Sequence, residues 1–321
     1  MNHPDDSPAP TPRERLRRVV RALRAERHYD GVIRRARAQR ERGRDREWHV
    51  GLMRLLASGV RAARVTGRPG SDPEAVPLVM CLWNRPDRLP VVLDLLARQE
   101  SPRPIRLILW NNNIDDAAHY LACLDGTPRG ALSSVELVNS ERNIGGLARF
   151  VVARLLRNGG YRGPVIMLDD DQNIRDTFVA DLLRDYRPQS VVAWWGFSQH
   201  GSYWRRAEIE PGSHADHAGT GGTVYDVDLV ADDRFFLRLP RKFAFLEDQW
   251  MSFVAHQAGW RVVKGDTVIE LVSEELNQYH GLRPLKDDFY HEQNDRGDAL
   301  LGDPLDRPEL SRGRLSGPVS S

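Results

Sequence analysis

Short apolar runs alternate with helical stretches through the middle of the chain. Four runs of strand length are Val76–Trp83, Ile105–Trp110, Val135–Val138 and Pro164–Leu168. The segments between them have apolar residues at helical spacing, and these are Asp87–Arg98, Asp116–Leu124 and Gly146–Leu156. Strands that alternate with helices predict βαβ units, so the pattern indicates an α/β fold with a mostly parallel central sheet flanked by helices.

Polar clusters follow each of the four predicted strands. They are Asn84-Arg85, Asn111–Asn113, Asn139–Asn143 and Asp169–Asp171. Because ligands of open α/β sheets bind at the carboxyl ends of the strands, these clusters are expected to converge on one crevice.

The two ends of the chain differ from this middle part. Residues 1–12 are polar and Pro-rich and predict a disordered tail, and residues 297–321 predict a second flexible tail rich in Pro, Gly and Ser. Residues 13–70 predict a basic helical N-terminal extension that ends in a Gly- and Pro-rich linker. Residues 71–296 are then the main domain.

Charge is distributed unevenly along the chain. Residues 1–70 contain 18 Arg and 8 acidic residues, a net charge of +10, and because the whole chain carries +1 the other 251 residues carry −9. A chain this close to neutral is not a polycation built for nucleic acid. The basic arm has three interpretations: contact with anionic lipid, contact with a partner or the acidic body, and a solvated extension.

Several features predict a cytoplasmic protein, peripheral at most to the inner face of a membrane. Cys81 and Cys123 each sit in an apolar stretch without metal-ligand spacing, which favours buried thiols in a reducing compartment. No apolar run approaches the ~18–20 residues that span a bilayer. The first residues lack the pattern of a secretory signal.

The segment Asp169-Asp170-Asp171 carries the strongest chemical signal. Three adjacent carboxylates repel one another, and a cation among them relieves the repulsion. Oxygen ligands suit Mg²⁺ or Mn²⁺. In an extended chain Asp169 and Asp171 point to one side and Asp170 to the other, so two carboxylates can face one metal ion. The alternatives are a solvated acidic turn and a helix cap.

Two glycine-containing segments are candidate binding loops. Asn143-Ile144-Gly145-Gly146 precedes a predicted helix, where glycine lets the backbone approach a phosphate and the helix N-terminus favours anions. The same pattern also occurs in plain turns. The segment 219–223, with Gly221 and Gly222 at its centre, is a flexible loop that could cover a diphosphate or admit a second substrate.

A pair of acidic residues, Glu247-Asp248, opens an amphipathic helix that is predicted to run to about Gly259. Carboxylates at a helix start complement the helix dipole, and this explains the pair without any chemistry. The functional interpretation is a general base. Since neighbouring helical residues point about 100° apart, only one of the two can serve the reaction.

The order of these motifs resembles that of family 2 glycosyltransferases with the GT-A fold, over Val76 to His280. The matching segments are Asn84-Arg85-Pro86, Asn111–Asn113, Asn143–Gly146, Asp169–Asp171 and Glu247-Asp248. One departure is that the second strand ends in Asn where the family usually has Asp, which leaves open the nucleotide base that is held.

The resemblance implies a metal-dependent, inverting glycosyltransferase that transfers a sugar from a nucleotide-diphospho-sugar to a glycan or lipid-linked acceptor. It implies a Mn²⁺ or Mg²⁺ ion held by Asp171 with Asp169 and His280, and a catalytic base at Asp248. The implied donor-binding residues are Asn84, Arg85, Asn111, Asn143, Gly145, Gly146, Asp169, Asp170, Gly221 and Gly222.

Three other functions are weighed against this one. A nucleotidyltransferase on the same fold would carry a Gly-rich loop after the first strand, but Cys81–Asp87 contains no Gly. A non-catalytic nucleotide-sugar-binding protein would not need Asp169, Asp171 and Asp248 together. A glycosidase also uses paired carboxylates, but not an Asp triplet beside nucleotide-binding turns.

Overall fold

The structure is a computed structural model that describes residues 12–70, 72–125, 130–272, 282–301 and 313–317 of the 321-residue chain. Its helices are α1 Pro12–Ser58, α2 Arg88–Ala97, α3 Ala117–Asp125, α4 Leu147–Asn158, α5 Phe178–Asp185, α6 Arg234–Leu237, α7 Glu247–Gln257 and α8 Arg283–Leu301. Its strands are β1 Val60–Arg61, β2 Arg64–Gly67, β3 Val76–Leu82, β4 Ile105–Asn111, β5 Leu132–Asn139, β6 Pro164–Asp169, β7 Gln172–Ile174, β8 Ser190–Ala193, β9 Gly196–Gln199, β10 Arg206–Glu208, β11 His217–Ala218, β12 Thr223–Asp226, β13 Arg261–Lys264, β14 Ile269–Leu271 and β15 Leu315–Ser316.

The chain divides into two compact units, Met1–Val50 and Gly51–Ser321. In the first unit, the described side chains from Arg34 to Arg42 are exposed and rich in arginine. No helix in the described part of the chain is both long enough and apolar enough to cross a membrane.

An eight-stranded sheet with the order β13-β8-β12-β6-β3-β4-β5-β2 forms the centre of the second unit. The four strands predicted from the sequence are β6, β3, β4 and β5, and they are parallel neighbours. The predicted helices between them are α2, α3 and α4. These predictions, and the α/β class with a central sheet flanked by helices, are confirmed.

The sheet core explains why these strands read as continuous apolar runs. Alternate residues of β3 and β4 pack with α2, α3 and α5 into one buried cluster. The residues that alternate with them, such as Val79 and Ile108, are also buried, and α4 contacts β3 and β4. A parallel sheet covered on both faces loses the two-residue period that an exposed face would give.

Antiparallel strands extend the parallel core on both sides. β12 lies between β6 and β8 and is antiparallel to both, while β2 is antiparallel to β5. The reversal at β12 places the start of this strand, Thr223, beside Met167 near the end of β6.

The ends of the main domain differ in detail from the predicted division. Arg64–Gly67, in the range predicted as extension and linker, is an edge strand of the main sheet. Helix α8 continues to Leu301, past the predicted boundary at residue 296. β15 pairs with β1 inside the segment predicted as a C-terminal tail, whereas residues 1–11, 302–312 and 318–321 lie outside the described residues.

Removal of residues 1–50 is expected to leave the unfolding transition of the second unit in place, because this unit is compact by itself. Removal of residues 1–70 also deletes β2 and the buried side chains of Leu52 and Leu56. Since burial of one such side chain contributes ~1.5–3 kcal/mol, the free energy of unfolding should fall by at least about 3 kcal/mol. Urea titration followed by circular dichroism measures both truncated proteins. Equal midpoints would show that residues 51–70 contribute nothing.

Candidate active site

One cavity of about 550 Å³ lies at the carboxyl ends of the parallel strands. It is lined by Cys81, Trp83, Arg85, Asn112, Asn143, Gly145, Gly146, Arg149, Asp169, Asp170, Asp171, Phe245, Glu247 and Leu282. Most of the predicted polar clusters therefore meet here, because parallel strands all end at the same edge of a sheet.

The three consecutive aspartates differ in exposure. Asp169 ends β6, and Asp170 and Asp171 form the turn before β7, where the sequence predicted an extended chain. The side chains of Asp169 and Asp171 are 33% and 28% exposed, whereas that of Asp170 is 7% exposed. Asp169 and Asp171 are thus the two carboxylates that are accessible from the cavity.

Arg85 holds the second and third aspartates. Its Nη1 donates to Oδ1 of Asp170 at 2.8 Å, and its Nη2 lies 3.3 Å from Oδ2 of Asp171. Burial raises the pKa of Asp170 to about 6 even though the charge of Arg85 opposes the shift. Burial and the neighbouring Asp169 likewise raise the pKa of Asp171. The charge of Arg85 is therefore not enough to offset the burial of these two carboxylates.

Arg149, in the first turn of α4, connects three other parts of the site. Its guanidinium pairs with Asp169, donates to Oγ1 of Thr220 at 2.9 Å, and lies 3.4 Å from Oε1 of Glu247. The residue is only 6% exposed. Burial lowers its pKa, but the negative groups around it, of which Asp169 contributes most, together outweigh this and raise it, so Arg149 is a permanent cation.

Glu247 and Asp248 face different surroundings, because α7 starts at this pair. The Glu247 side chain lines the cavity and is 12% exposed. Burial raises its pKa to about 7 against the opposing charge of Arg149.

Asp248 is turned toward His217, whose Nε2 lies 3.4 Å from its Oδ2. Burial alone would raise the pKa of Asp248, but the hydrogen bond from His217 and the charge of Lys286 hold it well below its usual range. Asp248, predicted as the base, is not among the described residues that line the cavity.

The segment Asn143-Ile144-Gly145-Gly146 forms a tight turn before α4. Oδ1 of Asn143 accepts from the Gly145 backbone at 2.8 Å, and Gly145 has φ of 59°, a conformation that favours glycine. A Cβ at Gly146 would collide with Oε1 of Glu247. Glycine at Gly146 is thus required by the close approach of the Glu247 carboxylate, a reason that the sequence did not reveal.

Asn111 and Asn112, at the end of β4, lie differently with respect to the cavity. Asn111, predicted to contact the donor, is fully buried, and its Nδ2 donates to Oδ1 of Asn139 on the next strand. Asn112 lines the cavity instead and bridges to the Asn-Gly-Gly turn through Ile144 N and Gly145 O. Because β4 ends at Asn111, this amide is held by the neighbouring strand, and Asn112 is the one that reaches the cavity.

Asn84, Gly221 and Gly222 are not among the described residues that line the cavity. Asn84 has φ of 58° and accepts at Oδ1 from Asn113. Gly221 adjoins the carboxylate of Asp169, with which a Cβ at this position would collide, and Gly222 lies against Ile269 and Trp194. His280, predicted as a metal ligand, is outside the described residues.

Arg149 is the functional residue that the sequence analysis missed. Its signal was available: a charged residue three positions after Gly146 interrupts the apolar run Leu147–Leu156 at a helix start. A buried charge in such a run requires partners.

The solved structures that resemble this chain do so at low identity and low TM-score. No family model and no curated protein matches the chain. Among solved structures, S. aureus TarS is 16% identical over 59% of this chain and 35% of its own, with a TM-score of 0.41. The mannosyltransferase PcManGT from Pyrobaculum calidifontis, solved with GDP-Man and Mn²⁺, is 12% identical over 85% of this chain and 76% of its own, with a TM-score of 0.49.

A third structure, the bifunctional glycosyltransferase WbbM, is 14% identical over 62% of this chain and 40% of its own, with a TM-score of 0.43. The chain spans about a third of the length of TarS. At these identities and TM-scores the likeness carries no argument, and what the site does has to follow from its own residues.

The charges of the cavity fit a divalent cation. Its carboxylates are those of Asp169, Asp170, Asp171 and Glu247, and its guanidiniums are those of Arg85 and Arg149. Among the described residues no group of three or more His, Cys, Asp or Glu side chains forms a complete metal cage. Mg²⁺, however, is commonly bound by one or two carboxylates together with substrate phosphates, and Asp169 and Asp171 match that donor set.

The parent protein is expected to lose stability as pH rises, because Glu247 must ionise in a buried position. Glu247→Gln should abolish this loss. An acid whose folded pKa lies above its usual value of 4.5 destabilises the fold as pH rises from about 4.5 through about 7. At pH 8 the variant should be more stable by about 1–3 kcal/mol, and at pH 4.5 equal to the parent. Urea titrations at both pH values measure this, with the exposed Glu141→Gln as control. A difference of the same size at both pH values would contradict the assignment.

Proposed function

We propose that this chain is a glycosyltransferase that moves a sugar from a nucleotide-diphospho-sugar to an acceptor hydroxyl. The observation that carries the proposal is the cavity in which Asp169, Asp171, Arg149 and Glu247 converge. It combines a carboxylate pair suited to a cation–diphosphate with a separate carboxylate suited to accept a proton. The resemblance of the motif order to family 2 glycosyltransferases supports the same conclusion.

The donor diphosphate is proposed to lie between the aspartates and the start of α4. Gly145 and Gly146 line the cavity there, and the N-terminus of this twelve-residue helix favours an anion. Trp83 and Asn112, at the ends of β3 and β4, line the same cavity and are placed to contact the nucleoside.

A divalent cation, Mn²⁺ or Mg²⁺, is proposed to be held by Asp169 and Asp171 and would neutralise charge on the departing diphosphate. Arg85 donates to Asp170 at 2.8 Å and holds this carboxylate in the cavity wall. Arg149 keeps Asp169 at the cavity wall and supplies a fixed positive charge beside it. Both arginines thus position the carboxylates before the donor arrives.

Glu247 is proposed to accept the proton of the acceptor hydroxyl. The acceptor oxygen forms a bond to the anomeric carbon while the bond from that carbon to the diphosphate oxygen breaks, and the nucleoside diphosphate leaves with the electron pair. A single displacement of this kind inverts the anomeric centre. A carboxylate whose pKa is near 7 is well matched to accept a proton at neutral pH.

Asp248, the base implied by the resemblance, is given a positioning role in this proposal. Its Oδ1 accepts from the backbone of Gln249 at 2.8 Å, and its Oδ2 faces His217. A carboxylate that is stabilised in its ionised form is a weak base, and it fixes the start of α7 on which Glu247 depends.

The acceptor is proposed to be a glycan or a lipid-linked saccharide. The arginine-rich side chains from Arg34 to Arg46 suit peripheral contact with anionic lipid on the cytoplasmic side of a membrane. Neither a nucleotidyltransferase nor a non-catalytic binding protein would explain why the buried carboxylate of Glu247 lines the cavity.

Donor binding is expected to require a divalent cation and Asp171. Asp171→Asn keeps the size of the side chain but removes one of two accessible carboxylates, so affinity for UDP or GDP in the presence of Mn²⁺ should fall at least ~10-fold. Calorimetry with and without EDTA measures this, and Asp94→Asn, an exposed carboxylate on α2, is the control. Equally tight nucleotide binding in excess EDTA would contradict the proposed cation site.

Glu247→Gln should lower the transfer rate by at least ~10² at saturating donor, the lower end of the effect of a general base. Asp248→Asn should lower it by less than about ten-fold, since that side chain does not line the cavity. The readout is the pair of single-turnover transfer rates, with donor affinity measured separately. The reverse ranking would return the base to Asp248.

A further inference from the structure

A second cavity of about 690 Å³ lies against α7. Its walls come from the segment 214–217, from α7 and from α8. Five carboxamide side chains line it, and these are Gln199, Gln249, Gln257, Gln293 and Asn294. None of the described residues that line it is a lysine or an arginine. The first cavity, which contains Asp169–Asp171, differs in this respect because Arg85 and Arg149 line it.

Buried amide groups in this cavity lack partners. Gln249 is 3% exposed, and within the described part of the chain neither its Oε1 nor its Nε2 forms a hydrogen bond. Among the same residues, Nε2 of Gln199 and Nε2 of Gln293 are also buried without an acceptor. Each such group costs about 1–3 kcal/mol when nothing satisfies it. Three glutamines around one space point to a ligand that supplies both donors and acceptors.

The lining defines the chemical class of that ligand. A carboxamide offers donors and an acceptor, which match the paired hydroxyls of a sugar. Phe253 and Tyr290 add aromatic surface for the C–H face of a sugar ring. Asp216 already accepts from the Gln199 backbone at 2.8 Å. Two carboxylates and three histidines line the cavity and no lysine or arginine does, so the lining offers a phosphate or a uronate no permanent cation. We propose that this cavity binds a neutral saccharide.

The cavity is separated from the donor cavity by the first turn of α7. Glu247 and Gln249 are two residues apart, so their side chains point about 200° apart around the helix. His217 lines the second cavity and contacts Asp248, which lies between the two. The role of the saccharide rests on the proposed function: the bound sugar would be a unit of the acceptor chain other than the one that carries the reacting hydroxyl. The binding itself does not depend on that function.

The test is direct binding of neutral sugars without any donor. Methyl glycosides and neutral trisaccharides of glucose, galactose, mannose and N-acetylglucosamine are titrated into the full chain. Saturation-transfer NMR and tryptophan fluorescence follow binding, since Trp250 stacks on Phe253 at 5.5 Å. At least one neutral sugar should bind, and Gln249→Leu should weaken it at least ~10-fold, the equivalent of one hydrogen bond of about 1.4 kcal/mol.

The variants distinguish a loss of sugar binding from a loss of folding stability. Gln249→Leu removes unsatisfied groups while keeping side-chain volume, so its unfolding midpoint should be unchanged or higher. Gln39→Leu, an exposed glutamine on α1, should bind sugar like the parent. Asp171→Asn should also bind sugar like the parent, so a failure of the donor site would not be mistaken for a failure here.

Three results would overturn the proposal. The first is that no neutral sugar binds, which would mean that water alone satisfies the buried amides. The second is that Gln249→Leu binds as tightly as the parent. The third is that glucuronate or a sugar phosphate binds more tightly than every neutral sugar in the panel.

Discussion

A buried guanidinium ties together the parts of the site that come from distant stretches of the chain. Arg149 on α4 contacts Asp169 at the end of β6, Thr220 before β12 and Glu247 at the start of α7. A charge that is 6% exposed is costly to bury unless it is paired, so these partners are constrained to stay close. The positions of the cavity carboxylates follow from this constraint.

The sequence predicted the part of the fold that rests on short-range patterns. The four parallel strands and the helices between them could be predicted because burial on both faces leaves strong apolar runs. The antiparallel position of β12 could not, since Thr223–Asp226 is a short strand whose direction depends on its neighbours in the sheet. β2 was missed because a four-residue edge strand that ends in glycine reads as a loop.

At the site, the sequence identified the residues better than their orientations. An extended chain was predicted through Asp169–Asp171, whereas Asp170 and Asp171 lie in a turn, where Asp170 is hydrogen-bonded to Arg85. The adjacent pairs Asn111-Asn112 and Glu247-Asp248 each present one member to the cavity, and which member does so depends on where a strand ends or a helix begins. Such boundaries are the least certain product of sequence patterns.

The sheet order has a consequence for how the protein acquires its site during synthesis. Strands β3, β4, β5 and β6 lie within residues 76–169, so a ribosome that has released the chain as far as Asp171 has already delivered the three aspartates and Arg149. Glu247 follows 98 positions after Arg149. Until α7 arrives, the nascent chain holds an aspartate–arginine cluster without its fourth carboxylate. Contacts of such long sequence separation form slowly, so the cavity is completed late in folding, after the parallel core has formed.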